Sequence, residues 1–256
     1  MNAPPSRRAL VTGGASGLTA GIAVAMAADG FDSIVITYRN GDPRTVLERI
    51  TSTGVRARAV RVDFRAGANA VAQLLSDVVR EEGPFDTLVH GVGSIDVRRF
   101  ERFTLSDYDD AFESNMRSAV IAAAAVLPSM RASGFGRIVV FGGNGSSQTM
   151  PHPGMTLHQA AKSALVAFAK TLALEEARFG ITVNVVEIGD IREKTRGRKE
   201  ARAVASPIPR GVAGSVDDVS DIVRFLIAPE RDFVTGAVVA VNGGLIAADE
   251  RNATRS

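Results

Sequence analysis

His158 and Lys162 stand four residues apart in the stretch His158-Gln159-Ala160-Ala161-Lys162, a spacing that puts both on one face of a helix. A titratable pair aimed in one direction points to proton chemistry. Free imidazole titrates near about 6.5, and a neighbouring ammonium disfavours its protonated form further. His158 is therefore expected to be mainly neutral near pH ~7, competent as a base or hydrogen-bond donor and sparsely populated as a cationic acid. Lysine is scarce, four residues against twenty-six arginines, so its choice at 162 indicates a specific need.

A second constellation is built to hold phosphate. In Val11-Thr12-Gly13-Gly14-Ala15-Ser16-Gly17-Leu18, Gly13 and Gly17 let the backbone approach a pyrophosphate with no Cβ in the way. The helix opening behind them offers free N–H groups and a positive dipole end. After the next apolar run come Tyr38-Arg39-Asn40, with no carboxylate to hold a ribose 2′-hydroxyl. Arg39 would pair instead with a 2′-phosphate, which favours NADP(H) over NAD(H). Asp63, at the end of the third apolar run, is placed to accept from an adenine amino group.

The elements around these residues alternate almost from end to end. Strand-like runs at 8–14, 33–39, 56–64, 85–93, 136–143, 181–189 and 237–244 are separated by helical patterns at 19–30, 43–54, 68–83, 104–134, 158–180 and 215–228. Thr104 or Ser106 is the candidate N-cap of the fourth helix and Ser215 that of the last. The strands are rich in Val and Ile and barely alternate, as a sheet covered on both faces requires. Short connections between such units give right-handed crossovers and one doubly wound parallel sheet, an α/β Rossmann-type domain over 1–256. The ends at 1–6 and 249–256 are expected to fray.

Composition narrows the function classes. The chain has 256 residues, 45% of them hydrophobic, and a formal charge of +2. It has no cysteine, which removes disulfides, zinc–thiolate sites and thiol nucleophiles. No apolar run reaches transmembrane length, and the first residues lack the apolar region of a signal peptide, so a cytoplasmic protein is expected. Basic patches at 98–100 and 192–202 carry no interleaved aromatic stripe, so nucleic acid is not an expected partner. The histidines at 90, 152 and 158 have no metal-binding spacing with carboxylates, and no metal is expected.

Taken in order, Thr12–Gly17, Val62–Phe64, Glu113–Asn115, the helix from His158 and Val241–Gly244 resemble the short-chain dehydrogenase/reductase family over nearly the whole chain. The resemblance implies one seven-stranded parallel sheet and hydride transfer with a nicotinamide dinucleotide. It implies dimers or tetramers built through the long helices near 105–131 and 158–178. That family uses Ser, Tyr and Lys, with a supporting Asn. Asn115 and Lys162 match their positions, and the catalytic set read here is His158, Lys162 and Asn115. Ser16, Leu18, Gly93, Lys162 and Ile191 join Gly13, Gly17, Arg39 and Asp63 in the cofactor-binding set.

Several positions depart from the family pattern. His158 stands at the tyrosine and Gly143 at the serine, with Ser146 or Ser147 as candidates to fold back into the site. Thr19 replaces the third glycine of the phosphate turn, where its Cβ is expected to crowd helix–strand packing. The family's Asn-Asn-Ala-Gly reads His90-Gly91-Val92-Gly93, and Glu193 lies near the place of a carboxamide-binding threonine. Three functions follow from this pattern. They are an NADP(H)-dependent oxidoreductase with a modified site, a redox-silent dehydratase or isomerase using His158 as base, and a non-catalytic dinucleotide-binding subunit. The basic, irregular segment at 192–214 suits a small or anionic substrate.

Overall fold

The computed structural model describes residues 6–191 and 197–245. Its strands are β1 (Arg8–Thr12), β2 (Ser33–Tyr38), β3 (Arg56–Arg61), β4 (Thr87–His90), β5 (Gly136–Gly143), β6 (Ile181–Ile188) and β7 (Val238–Val241). All pair in parallel in the order β3-β2-β1-β4-β5-β6-β7, the Rossmann-type sheet expected from the sequence. Successive side chains leave a strand on opposite faces. In β1, Leu10 therefore joins one apolar cluster while Ala9 and Val11 join the other. With both faces buried, the central strands have no polar face to show, which is why they read as unbroken apolar runs. The edge strand β3 instead exposes Arg56, Arg58 and Arg61.

Helices α1 (Gly17–Met26), α2 (Arg44–Thr51) and α8 (Val216–Ile227) cover the Ala9/Val11 face. Helices α3 (Ala68–Glu82), α5 (Ser118–Ser133) and α6 (Thr156–Glu176) cover the other. Two further helices, α4 (Leu105–Phe112) and α7 (Arg198–Ala201), flank the strand ends. Thr104 caps α4 and Ser215 caps α8, each in a reciprocal capping box with the aspartate three residues on.

The helical pattern at 104–134 is not one regular helix. A π-helical turn at Glu113–Arg117 separates α4 from α5. The physical cause lies in side-chain donors aimed at the backbone. Ser114 Oγ donates to Asp110 O at 2.6 Å, Asn115 Nδ2 to Ala111 O at 3.0 Å and Ser118 Oγ to Ser114 O at 2.6 Å. Three closely spaced competitors for carbonyls four residues back loosen the helical ladder there.

The segment read as irregular after β6 contains α7. Its Arg198 bonds to Asp218 and Asp221, and Arg202 bonds to Asp218 and to Ala213 O. Residues 1–5, 192–196 and 246–256 lie outside the described residues, and with them Glu193 and nearly all of the ends expected to fray. Among the described residues, no helix is long and apolar enough to cross a membrane.

Candidate active site

The chain winds from β1 outward to β3, then returns to place β4 on the other side of β1. Ligands in such sheets bind at this reversal, beyond the carboxyl ends of the strands. A cleft of about 960 Å³ opens there. Gly13, Ser16, Gly17, Leu18, Arg39 and Asp63 line one part of it, and Gly93, Asn115, His158, Lys162 and Ile191 another. The fold thus gathers into one cavity every residue singled out as catalytic or cofactor-binding, from positions 13 to 191.

The phosphate end is shaped by backbone. Gly13 and Gly17 have φ of +70° and +61°, the left-handed region that disfavours side chains. A Cβ on Gly13 would lie 3.3 Å from the Gly91 carbonyl. Ser16 precedes α1 without capping it by its side chain, and no acidic residue sits in the first turn of α1. The first N–H groups of α1 are therefore left for an anion, whereas α4 and α8 have theirs capped. Arg39 is exposed at the end of β2, with Arg61 Nε donating to its carbonyl at 3.1 Å. Arg65 lines the same end of the cleft. Its backbone N donates to Asp63 Oδ1 at 3.1 Å, and its Nε stands 3.7 Å from the same oxygen.

Thr19 is accommodated rather than crowded. It is buried, and its methyl group occupies space that Gly91 leaves open. A Cβ on Gly91 would lie 2.2 Å from Thr19 Cγ2. The two departures from the family pattern compensate each other across the gap between α1 and the loop after β4.

At the other end, the π-helical turn carries Asn115 into the interior. Its Nδ2 donates to Ser94 O at 2.9 Å, while its buried Oδ1 has no protein partner. A Cβ on Gly93 would stand 2.6 Å from that Oδ1 and 3.3 Å from Lys162 Nζ. Gly93 thus makes the room in which an unpaired acceptor and an ammonium converge. Such a cradle fits a polar ligand group. Lys162 Nζ donates to Phe141 O at 2.7 Å, and burial pushes its ammonium down to about 8.

His158 Nδ1 lies 2.8 Å from Ser94 O. A carbonyl can only accept, so Nδ1 carries the proton and Nε2 of the neutral ring presents a lone pair. Burial is the main influence lowering the His158 pKa; the bond to Ser94 opposes it, and Lys162 and His152 add to it. Sequence reasoning allowed this imidazole to be either base or donor. The tautomer fixed by Ser94 makes Nε2 an acceptor.

Gly143 places no side chain in the cleft, and neither Ser146 nor Ser147 lines it. Ser146 Oγ donates to Glu187 Oε1 at 2.9 Å, and the Ser147 N–H donates to the same oxygen at 2.6 Å. His90 is wholly buried and structural. Its Nε2 donates to Ser118 Oγ at 3.0 Å, because the Ser118 hydroxyl proton is spent on Ser114 O, and its Nδ1 accepts from Thr12 Oγ1 at 2.8 Å. Burial, followed by Lys162, pushes its pKa down to about 3. His152 Nε2 donates to Asn144 O at 2.9 Å.

Sequence reasoning did not find Ser94, whose carbonyl holds both Asn115 and His158. No side-chain signal marks a backbone acceptor. Gly91 was findable, because a glycine gained there coincides with a glycine lost at Thr19.

Comparison with known proteins agrees with the fold. The model of the short chain dehydrogenase family matches residues 7–204. The acetoacetyl-CoA reductase of Shinella zoogloeoides is 32% identical over 244 residues, 93% of this chain and 98% of its own length. Among solved structures, a blue fluorescent protein from a metagenomic library, in complex with NADPH, superposes with a TM-score of 0.80 at 34% identity. That match covers 94% of this chain and 98% of the other. Acetoin dehydrogenase from Enterobacter cloacae superposes with a TM-score of 0.86 at 25% identity, covering 98% and 99%.

Proposed function

The chain belongs to the short-chain dehydrogenase/reductase family, and on that premise we propose that it is an NADP(H)-dependent oxidoreductase interconverting a carbonyl and an alcohol through a modified catalytic site. The observation that carries this reading is that His158, Lys162 and Asn115 line one cleft with the glycine turn, Lys162 Nζ and Asn115 Oδ1 meeting beside Gly93. Gly13, Ser16, Gly17 and Leu18 would hold the pyrophosphate, and Asp63 the adenine. Arg39, whose carbonyl accepts from Arg61, would hold a 2′-phosphate, with no carboxylate at the end of β2. Gly93, Lys162 and Ile191 would bound the nicotinamide end. The bound nicotinamide supplies or takes up a hydride. His158 manages the proton: its bare Nε2 receives one from a hydroxyl and, once charged, returns it.

The neutral, Nδ1-protonated ring also suits the redox-silent reading, since a base that abstracts a proton from carbon needs the same lone pair. The two separate by whether the nicotinamide absorbance changes during turnover.

The substrate is a small molecule. Within the basic segment at 192–214 that suggested an anionic one, Arg198 and Arg202 are paired with carboxylates of α8. Arg98, at the mouth of the cleft, is paired with Asp96 and Asp107. A second copy of the chain would cover the apolar side chains exposed on α4, α5 and α6, namely Leu105, Tyr108, Val120 and Leu174.

Calorimetric titration with NADPH and NADH, for the wild type and Arg39→Ala, tests the cofactor. A charge-assisted hydrogen bond contributes about 1.5–3 kcal/mol, roughly ten- to a hundredfold in affinity. NADPH is expected to bind more tightly, and Arg39→Ala to lose that margin for NADPH while leaving NADH unchanged. Binding of neither nucleotide would end the oxidoreductase reading.

A further inference from the structure

His158 takes its tautomer from a carbonyl that lies in no regular element. Ser94 sits in the loop between β4 and α4, where residues 92–97 make no backbone–backbone hydrogen bond among the described residues. Any residue at 94 would supply a carbonyl; side chains must hold this one in place. Ser94 is exposed, but the side chains it meets are not: Ser114 and Asn115 are both buried. Ser94 Oγ lies 2.7 Å from Ser114 Oγ. The Ser114 hydroxyl proton is committed to Asp110 O at 2.6 Å, so Ser94 is the donor in that pair.

The number of protons decides what this donation does. Asn115 Nδ2 has two, and three acceptors stand within reach: Ser94 O at 2.9 Å, Ala111 O at 3.0 Å and Ser114 Oγ at 3.3 Å. With Ser114 Oγ supplied by Ser94, both amide protons are free for the two carbonyls. Ser94 O then takes one from Asn115 and one from His158 Nδ1 at 2.8 Å, which fills its two lone pairs. Without the Ser94 hydroxyl, the buried Ser114 Oγ would be short of a donor and would draw on the amide that steadies Ser94 O. We propose that Ser94 is a positioning residue of the site: its hydroxyl, by satisfying Ser114 Oγ, reserves the Asn115 amide for Ser94 O and so holds the carbonyl that orients His158. The inference rests on the oxidoreductase reading for the use made of His158, and on the hydrogen-bond geometry alone for the positioning.

Nitrogen NMR of nucleotide-free protein labelled with ¹⁵N-histidine tests this at the His158 ring. It compares the wild type with Ser94→Ala, Ser94→Thr and the double variant Ser94→Ala with Ser114→Ala. The wild type is expected to carry its ring proton on Nδ1. A hydrogen bond shifts an equilibrium roughly two- to tenfold, and Ser94→Ala is expected to lower the ratio of Nδ1–H to Nε2–H by about that factor. The bond to Ser94 O also favours the charged ring, so the His158 pKa is expected to fall in Ser94→Ala. Lys162 and His152, the other titratable groups acting on the ring, are untouched by these changes.

Ser94→Thr keeps a hydroxyl and is expected to keep the wild-type tautomer and pKa. The double variant removes the competing Ser114 Oγ together with its donor, and is expected to recover most of what Ser94→Ala loses. A general loosening of the loop would give neither the rescue by Ser94→Thr nor the recovery in the double variant. Four results overturn the proposal: a wild-type proton on Nε2, a Ser94→Ala ring with unchanged tautomer and pKa, a Ser94→Thr ring that behaves like Ser94→Ala, and a folded double variant that recovers nothing. If the double variant does not fold, the alanine and threonine variants decide the matter by themselves. Because no nucleotide is present, a failure of the oxidoreductase reading leaves these outcomes in place and shows separately, as a nucleotide that does not bind or a nicotinamide band that does not change.

Discussion

Replacing Gly91 by alanine sets a methyl group against Thr19, and the structure gives the size of the conflict. The new Cβ would stand 2.2 Å from Thr19 Cγ2, 2.6 Å from Oγ1 and 2.9 Å from Cβ. Carbon atoms in favourable contact are about 3.5–4.0 Å apart, so the overlap with the methyl group is more than about 1 Å. Rotating Thr19 about χ1 offers no escape, because its Cβ is itself too close. Thr19 is buried on α1, whose packing would have to shift as a unit. Overpacking of this kind costs about 1–3 kcal/mol. Thr19→Gly removes the opposing atoms, at a cost in helix propensity of a few tenths of a kcal/mol plus lost packing. With both changes made, alanine at 91 fills the space vacated at 19. A double-mutant cycle by urea denaturation should therefore show Gly91→Ala destabilising by about 1–3 kcal/mol when Thr19 is present and much less in the Thr19→Gly background. Nucleotide affinity should follow the same pattern, since the Gly13 turn rests on Gly91. Strictly additive effects, within about 0.3–0.5 kcal/mol, would refute the idea that the two residues compensate each other.

Three other outcomes follow from the structure. His90 is held neutral in the folded state, at about 3, against about 6.5 when unfolded. Between these values the unfolded chain binds a proton that the folded chain refuses. Its contribution is complete above pH ~6.5 and is lost as pH falls toward ~3, by up to about 1.4 kcal/mol per pH unit. Urea midpoints between pH ~7 and ~5 should therefore drop more steeply for the wild type than for His90→Gln, and equal slopes would contradict the assignment. Oxidation rates should trace a bell-shaped pH dependence, since His158 must be neutral and Lys162 charged. The acid limb should lie below about 6.5, because burial lowers the His158 pKa, and the alkaline limb near 8. A rate still rising at pH ~9.5 would contradict the role given to Lys162. Size-exclusion chromatography with light scattering should find a dimer or tetramer that Leu105→Glu with Leu174→Glu weakens; a monomeric wild type would remove the interface.

Much of this site was legible because side-chain type and spacing carry it. The four-residue step from His158 to Lys162 did place both in one cleft, and the glycine turn did sit between a strand and a helix. Apolar runs revealed the sheet because its central strands are buried on both faces. What escaped was decided by groups with no such signature. The π-helical turn that positions Asn115 arises from side-chain donors competing for backbone carbonyls, which apolar periodicity does not register. The tautomer of His158 is set by a carbonyl that any residue at 94 would supply. Arg198 and Arg202 belong to a basic patch along the chain, and only the fold brings them to Asp218 and Asp221.

The most direct measurement follows the nicotinamide absorbance band while NADP⁺ and a panel of alcohols are mixed with the wild type and with His158→Ala. General base catalysis contributes about 10²–10⁴-fold. The band of NADPH should grow with at least one panel member for the wild type, and its growth should slow by at least about a hundredfold in His158→Ala. Turnover of a substrate with no change at that band, or an equal rate in His158→Ala, would contradict an oxidoreductase that works through His158.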